Sequence, residues 1–147
     1  GKTATVKGVV TYAGYYGQTP DTSSRVFLFP LDYEPNPKYD LNAVFEYTHG
    51  LKLLEGFYFA RVDADGRYEI ADVKPGRYAV LISPEHARGK FRQWEEMYRD
   101  IGIFDQYFET ADVELLIFGD FIKDNCYRFW PSVTLEGGRT YEFSSRF

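Results

Sequence analysis

Residues 57–83 read FYFARVDADGRYEIADVKPGRYAVLIS, and the breaks between the apolar runs of this stretch are set by residues with defined turn chemistry. Phe57, Phe59, Arg61 and Asp63 alternate with Tyr58, Ala60 and Val62. That period of two, with one apolar face, suits a half-buried antiparallel strand. Asp65-Gly66 stops it. The pair accepts positive φ readily and matches the twist of a hairpin, so residues 67–73 are expected to fold back onto the first strand with Tyr68 and Ile70 inward. At Pro75-Gly76 proline presets φ and glycine is free to enter the left-handed region, after which Tyr78, Val80 and Ile82 alternate again. Three neighbouring strands are the expectation.

Around this stretch the signals are weaker but of the same kind. Residues 3–12, TATVKGVVTY, alternate Val6, Gly8 and Val10 against Lys7, Val9 and Thr11 and predict a first strand. A glycine-rich polar connection follows, carrying Tyr15 and Tyr16 between two glycines, and RVFLFP at 25–30 is a short apolar strand ended by proline. In 31–56, Asp40 is a helix N-cap, Leu41, Val44, Phe45 and Thr48 form one stripe, and Gly50 is the stop. After Pro84, Phe91, Trp94, Tyr98 and Ile101 mark the apolar stripe of an amphipathic helix with Gly102 as its end. Ile103, Phe104, Tyr107 and Phe108 suggest a short second helix, and 113–118 is an apolar run that fits strand or buried helix. Residues 127–135 are expected to form a sixth strand bent at Pro131. Gly137-Gly138 is a two-residue hairpin turn, and 139–147 pairs back with Tyr141 and Phe143 inward.

The run Asp65-Gly66-Arg67-Tyr68-Glu69-Ile70, followed by Val73-Lys74-Pro75-Gly76-Arg77-Tyr78, resembles the carboxypeptidase regulatory-like domain. The resemblance covers residues 4–30, 57–84 and 131–146. It implies a mainly β fold, a seven-stranded transthyretin-like (prealbumin-like) Greek-key β-sandwich. Mainly helical insertions are then expected at about 31–56 and 85–126, both longer than the connections of such a sandwich normally are. The resemblance also implies a non-catalytic module of a bacterial exported or cell-surface protein, extracellular or periplasmic. The motif is specific for fold and weak for activity, since one sandwich hosts many functions.

Composition narrows the functional classes. With 147 residues the natural expectation is one domain, and a net charge of -5 lacks the basic face that nucleic acid or an anionic membrane requires. No apolar run approaches the roughly 20 residues of a membrane-spanning helix, and no signal peptide opens the chain, although Gly1-Lys2-Thr3 fits the cut end of a longer precursor. Cys126 is the lone cysteine and reads as a buried structural thiol. In Asp63-Ala64-Asp65-Gly66 the glycine comes too early for a helix-loop-helix calcium site, so a turn is the better reading. His49 and His86 lack the neighbours of a zinc ligand set, and no G-x-S-x-G occurs, so neither a metal, a cofactor nor catalytic residues are expected. Two activities known on this fold also lack their residues. Residues 144–147 are SSRF where a hydroxyisourate hydrolase has Tyr-Arg-Gly-Ser, and 131–147 hold no Asn or Asp to cross-link with Lys7.

The remaining feature is an aromatic content of 19%. Flat aromatic faces bind sugars, and Tyr15, Tyr16, Trp94, Tyr98 and Trp130 are the candidate ligand-binding residues, against the alternative that aromatics simply fill the core. The sequence therefore points to a non-catalytic interaction or accessory module with a protein or polysaccharide partner, or more narrowly to a carbohydrate-binding module using aromatics in the insertions.

Overall fold

The computed structural model describes residues 1–89, 92–109, 122 and 125–147. Within them nine strands form two sheets. β1 (Ala4–Gly14) is the centre of the first sheet and pairs antiparallel with β2 (Gly17–Pro20) and β5 (Arg67–Val73), and parallel with β8 (Thr140–Glu142) and β9 (Ser145–Arg146). Its backbone assigns the two sides. Val10 accepts from Asp21 N and donates to Gly66 O on the β2 and β5 side, whereas Lys7 O and Thr11 O accept from Phe143 N and Phe147 N on the other. The second sheet has the antiparallel order β4 (Tyr58–Arg61), β3 (Arg25–Pro30), β6 (Gly76–Ser83), β7 (Arg128–Leu135).

The two sheets pack as a β-sandwich. Val6, Val10, Tyr68 and Ile70 of the first face Val26, Leu28, Val80 and Ile82 of the second in one buried cluster. The alternate residues of β3 and β6, namely Phe27, Phe29, Ala79 and Leu81, are buried on the opposite face in a second cluster. This cluster is completed by α1 (Leu41–Thr48), α2 (Trp94–Ile101) and the 3₁₀ turn Gly102–Gln106. Strands covered on both faces read as continuous apolar runs, which is why RVFLFP and AVLIS do not alternate. Cys126 is buried in the inter-sheet cluster.

All seven strand segments expected from the sequence are present, the last divided into β8 and β9, and β2 adds one within the polar connection. The two expected hairpins are not. Among the described residues β4 pairs with β3 alone, and β5 pairs with β1 in the other sheet, so Asp65-Gly66 carries the chain across the sandwich. Gly137-Gly138 does the same, delivering β8 to β1 instead of returning it to β7. The turn itself fixes only the reversal. The Asp63 carboxylate accepts from Asp65 N and Arg67 N at 2.9 Å, and Gly66 takes φ +81°, which fixes a reversal of direction but no pairing partner. The partner is chosen by burial, and both edges of this turn present apolar faces to the same inter-sheet core.

The helices are where expected but rotated. Asp40 caps α1 by accepting from Ala43 N at 2.9 Å, and Gly50 at φ +71° follows its end. Its buried face is Val44, Tyr47 and Thr48, leaving Leu41 and Phe45 exposed. The α1 terminus is held by the sheet: Arg25 Nη1 donates to Thr48 O at 2.8 Å, and Arg61, its register partner on β4, reaches His49 O at 3.4 Å. In α2 the buried residues are Met97, Asp100 and Ile101, so Trp94 and Tyr98 leave the expected stripe for solvent. Gly102 does not stop the chain in a left-handed conformation, and the turn after it is 3₁₀ instead of a second α-helix. The 113–118 run lies outside the described residues.

Candidate functional site

Gly14 and Gly17 bracket the tip of the β1–β2 hairpin, and Gly17 takes φ +113°, a conformation a side chain would strain. The base of the tip is fixed by Thr11 Oγ1 donating to Gln18 Oε1 at 2.6 Å and by Thr19 Oγ1 donating to Gly17 O at 3.1 Å. This leaves Tyr15 and Tyr16 standing out at 94% and 95% exposure, packed edge to face with centroids 4.8 Å apart. Residues 13–19 carry no charge, so the tip is a neutral pair of rings with hydroxyl ends.

Trp94 and Tyr98 lie one helical turn apart on α2, 56% and 58% exposed, with centroids 6.0 Å apart and planes 32° from parallel. Trp130 is elsewhere. It lies on the face of β7 that meets the inter-sheet cluster, packed edge to face on Phe143 at 5.2 Å with the Arg128 guanidinium 4.8 Å above its ring. α2 instead packs on the opposite, aromatic face of that sheet. The five candidate residues therefore do not make one platform. They fall into an exposed pair on a hairpin, an exposed pair on a helix, and a half-buried ring under an arginine.

The histidines are also separated. His49 Nδ1 lies 2.8 Å from Phe45 O with its ring against Phe45. His86 Nδ1 lies 3.0 Å from Asp21 Oδ1, and its ring stacks on Tyr12 at 5.5 Å. Asp21 is fully buried, and its carboxylate also accepts from the backbone N–H groups of Glu85, His86 and Ala87 at 3.2, 2.7 and 3.0 Å. The sequence does not single this residue out, since nothing in TPDTSS distinguishes a buried carboxylate from a turn residue. The three backbone donors make it a clamp between the first sheet and the exit of β6, with His86 as an additional partner. Among the described residues no group of three or more His, Cys, Asp or Glu is placed to hold a metal ion.

Under α2 a second network is centred on buried Asp100 and Tyr127. Tyr127 OH donates to Asp100 Oδ2 at 2.6 Å, and Arg92 reaches the same oxygen at 3.0 Å while pairing with Glu96 at 3.2 Å. Burial first, then the hydrogen bond to the Asp100 carboxylate, holds the Tyr127 phenol above its ordinary pKa, so it stays a donor. No helix among the described residues is long and apolar enough to cross a membrane.

No known protein family and no curated protein matches the chain. Two solved structures align with 99% of it at low similarity. One is a minor pilin of the gram-positive pathogen Streptococcus agalactiae, with 10% identity and a TM-score of 0.43, of which the chain spans 44%. The other is a candidate carbohydrate-binding protein of Pseudomonas aeruginosa, with 11% identity and a TM-score of 0.45, of which the chain spans 89%.

Proposed function

We propose that this chain is a non-catalytic binding module, one domain of the prealbumin-like type its sequence resembles, which engages a partner outside the cytoplasm through exposed aromatic side chains. The observation that carries the reading is the Tyr15–Tyr16 tip. Two large rings at about 95% exposure contribute almost nothing to the fold, and aromatic groups held rigidly at low entropy cost are the side chains that dominate recognition surfaces. Placement on the cell surface rests on the sequence resemblance alone.

A carbohydrate ligand is the second reading, favoured by Trp94 and Tyr98, whose rings are neighbours tilted by 32° and more than half exposed. Aromatic faces of this kind pack on the apolar faces of sugar rings. Acrylamide quenching of tryptophan emission during titration with a panel of neutral and acidic polysaccharides tests both. Saturable protection of Trp94, lost in Tyr98→Ala, supports the sugar reading. Pull-down or surface binding that survives Tyr15→Ala/Tyr16→Ala unchanged overturns the role given to the hairpin tip.

A further inference from the structure

A groove of about 700 Å³ opens where the start of β7 meets β9, lined by Arg92, Arg128, Arg146, Tyr127, Ser144 and Ser145 among others. Its volume is in the range of small-ligand sites. Among the described residues no carboxylate side chain lines it, in a chain whose net charge is -5. The three arginines are not equivalent. Arg92 is already paired with Asp100 and Glu96. Arg128 and Arg146 are exposed and make no ion pair among the described residues, and Arg128 is held only over the Trp130 ring, 4.8 Å from its centroid. Two arginine charges brought to one concave site with no ion pair among the described residues repel each other, and that unfavourable arrangement is relieved when an anion enters. Guanidinium groups also present planar forks that match the two oxygens of a carboxylate.

The structure assigns this groove, we infer, to the carboxylate of an acidic saccharide such as a uronic-acid oligomer. The inference extends the proposed binding function to a different surface from the Tyr15–Tyr16 tip and the Trp94–Tyr98 pair. Three features select the ligand. Arg128 and Arg146 supply the charge. Ser145 is a half-exposed hydroxyl at the wall, suited to sugar hydroxyls, whereas Ser144 is engaged, accepting from Val9 N at 2.9 Å and donating to Glu142 at 3.1 Å. The net negative charge of the rest of the chain disfavours a long polyanion, so a short or sparsely charged chain fits better than nucleic acid.

The chain has two tryptophans, which makes the test direct. In Trp94→Phe the remaining emission comes from Trp130, beneath Arg128, and reports the groove. In Trp130→Phe it comes from Trp94 and reports α2. Trp94→Phe protein is titrated with an oligogalacturonate, with the same oligomer after reduction of its carboxylates to alcohols, and with inorganic phosphate and sulfate. The expected result is a saturable change in Trp130 emission with the oligogalacturonate, absent with the reduced oligomer and weakened by salt. Arg128→Gln and Arg146→Gln should each weaken it by about tenfold, the loss expected for one charge-assisted contact. Because removing Arg128 also changes the surroundings of Trp130, Arg146→Gln is the cleaner variant. Equal affinity for the reduced oligomer, or unchanged affinity in Arg146→Gln, overturns the assignment. Phosphate or sulfate binding without oligogalacturonate binding overturns the saccharide and leaves an inorganic anion site. A response confined to Trp130→Phe protein overturns the groove while supporting the α2 surface, so the two proposals fail separately.

Discussion

The second sheet has two buried faces of different chemistry. Toward the first sheet it presents Val26, Leu28, Val80 and Ile82, and toward the helices Phe27, Phe29, Ala79 and Leu81. The aliphatic face meets another sheet, where branched side chains interdigitate across a spacing of about 10 Å. The other face meets short helical elements at irregular angles, and there rings fill the space. Phe29 packs within 4.9 to 6.4 Å of Tyr47, Phe57, Phe104 and Tyr107. The difference teaches that the insertions are not loops laid on a finished sandwich. They cover one of the two buried faces of β3 and β6, and neither α1 nor α2, at eight residues each, is long enough to be stable without that surface.

The largest expected effect follows from this. Phe29→Ala should destabilise the protein by about 3–5 kcal/mol, the usual loss for a fully buried phenylalanine, measured by urea denaturation. Leu28→Ala, on the opposite face of the same strand, should lose about 2–5 kcal/mol. A Phe29→Ala loss below about 1 kcal/mol would show that the aromatic layer is not packed in solution and reduce the comparison to a sheet with one working face.

Asp21 belongs to neither layer and ties them together, since it follows β2 in the first sheet and holds the residues after β6 in the second. Asp21→Asn places an amide N–H₂ or a weaker acceptor before three backbone donors. It should cost about 1–3 kcal/mol, the range for a buried donor left unsatisfied. Hydrogen exchange should show the loss at residues 85–87 before it appears in β3. Uniform loss of protection across both sheets at native conditions would contradict the clamp role.

The sequence made one layer readable and obscured the other. Alternation in β1 and β5 located the inter-sheet core, with Tyr68 and Ile70 inward as expected, and in β6 Val80 and Ile82 are inward as expected although Ala79 and Leu81 between them are apolar as well. The aromatic layer misleads for a physical reason. Tryptophan and tyrosine are amphipathic, and periodicity treats them as core. Trp94, Tyr98 and Ile101 do share a helical stripe, yet Met97 and Ile101 face the sheet and the two rings turn outward. Leu41 and Phe45 mislead in the same way on α1, where Val44 and Tyr47 carry the contact. The turns fail for a different reason, since Asp65-Gly66 and Gly137-Gly138 encode a reversal and leave the choice of partner strand to long-range burial. The flanking glycines singled out Tyr15 and Tyr16 as candidates, and both rings are exposed. Asp21 and the arginine groove were not legible, because their residues are brought together from segments far apart in the chain.

Hydroxyls at the margins of the layers give a smaller effect that sharpens the comparison. Tyr47 OH donates to Tyr58 O at 2.7 Å and Tyr107 OH to Pro30 O at 2.6 Å, both fastening the helical layer to the sheet. Burial holds both phenols above their ordinary pKa. Tyr47→Phe and Tyr107→Phe should each lose about 1 kcal/mol, the net value of one hydrogen bond. Tyr68→Phe, whose hydroxyl donates to Phe143 O in the sandwich layer, should lose a similar amount. Equal losses would show that the layers differ in shape-filling and not in polar fastening.

The smallest effect is the most informative about function. Trp94 and Tyr98 are more than half exposed on a helix whose attachment runs through Met97 and Ile101. Exposed substitutions away from caps and cores usually change stability by less than about 0.5 kcal/mol, so Tyr98→Ala should leave the urea midpoint nearly unmoved. Met97→Ala, fully buried three residues away from Trp94, should lose about 2–5 kcal/mol. That contrast separates rings kept for the fold from rings kept for a partner. If Tyr98 proves as costly to remove as Met97, it is a packing residue, and the sugar-binding reading of α2 loses the surface on which it stands.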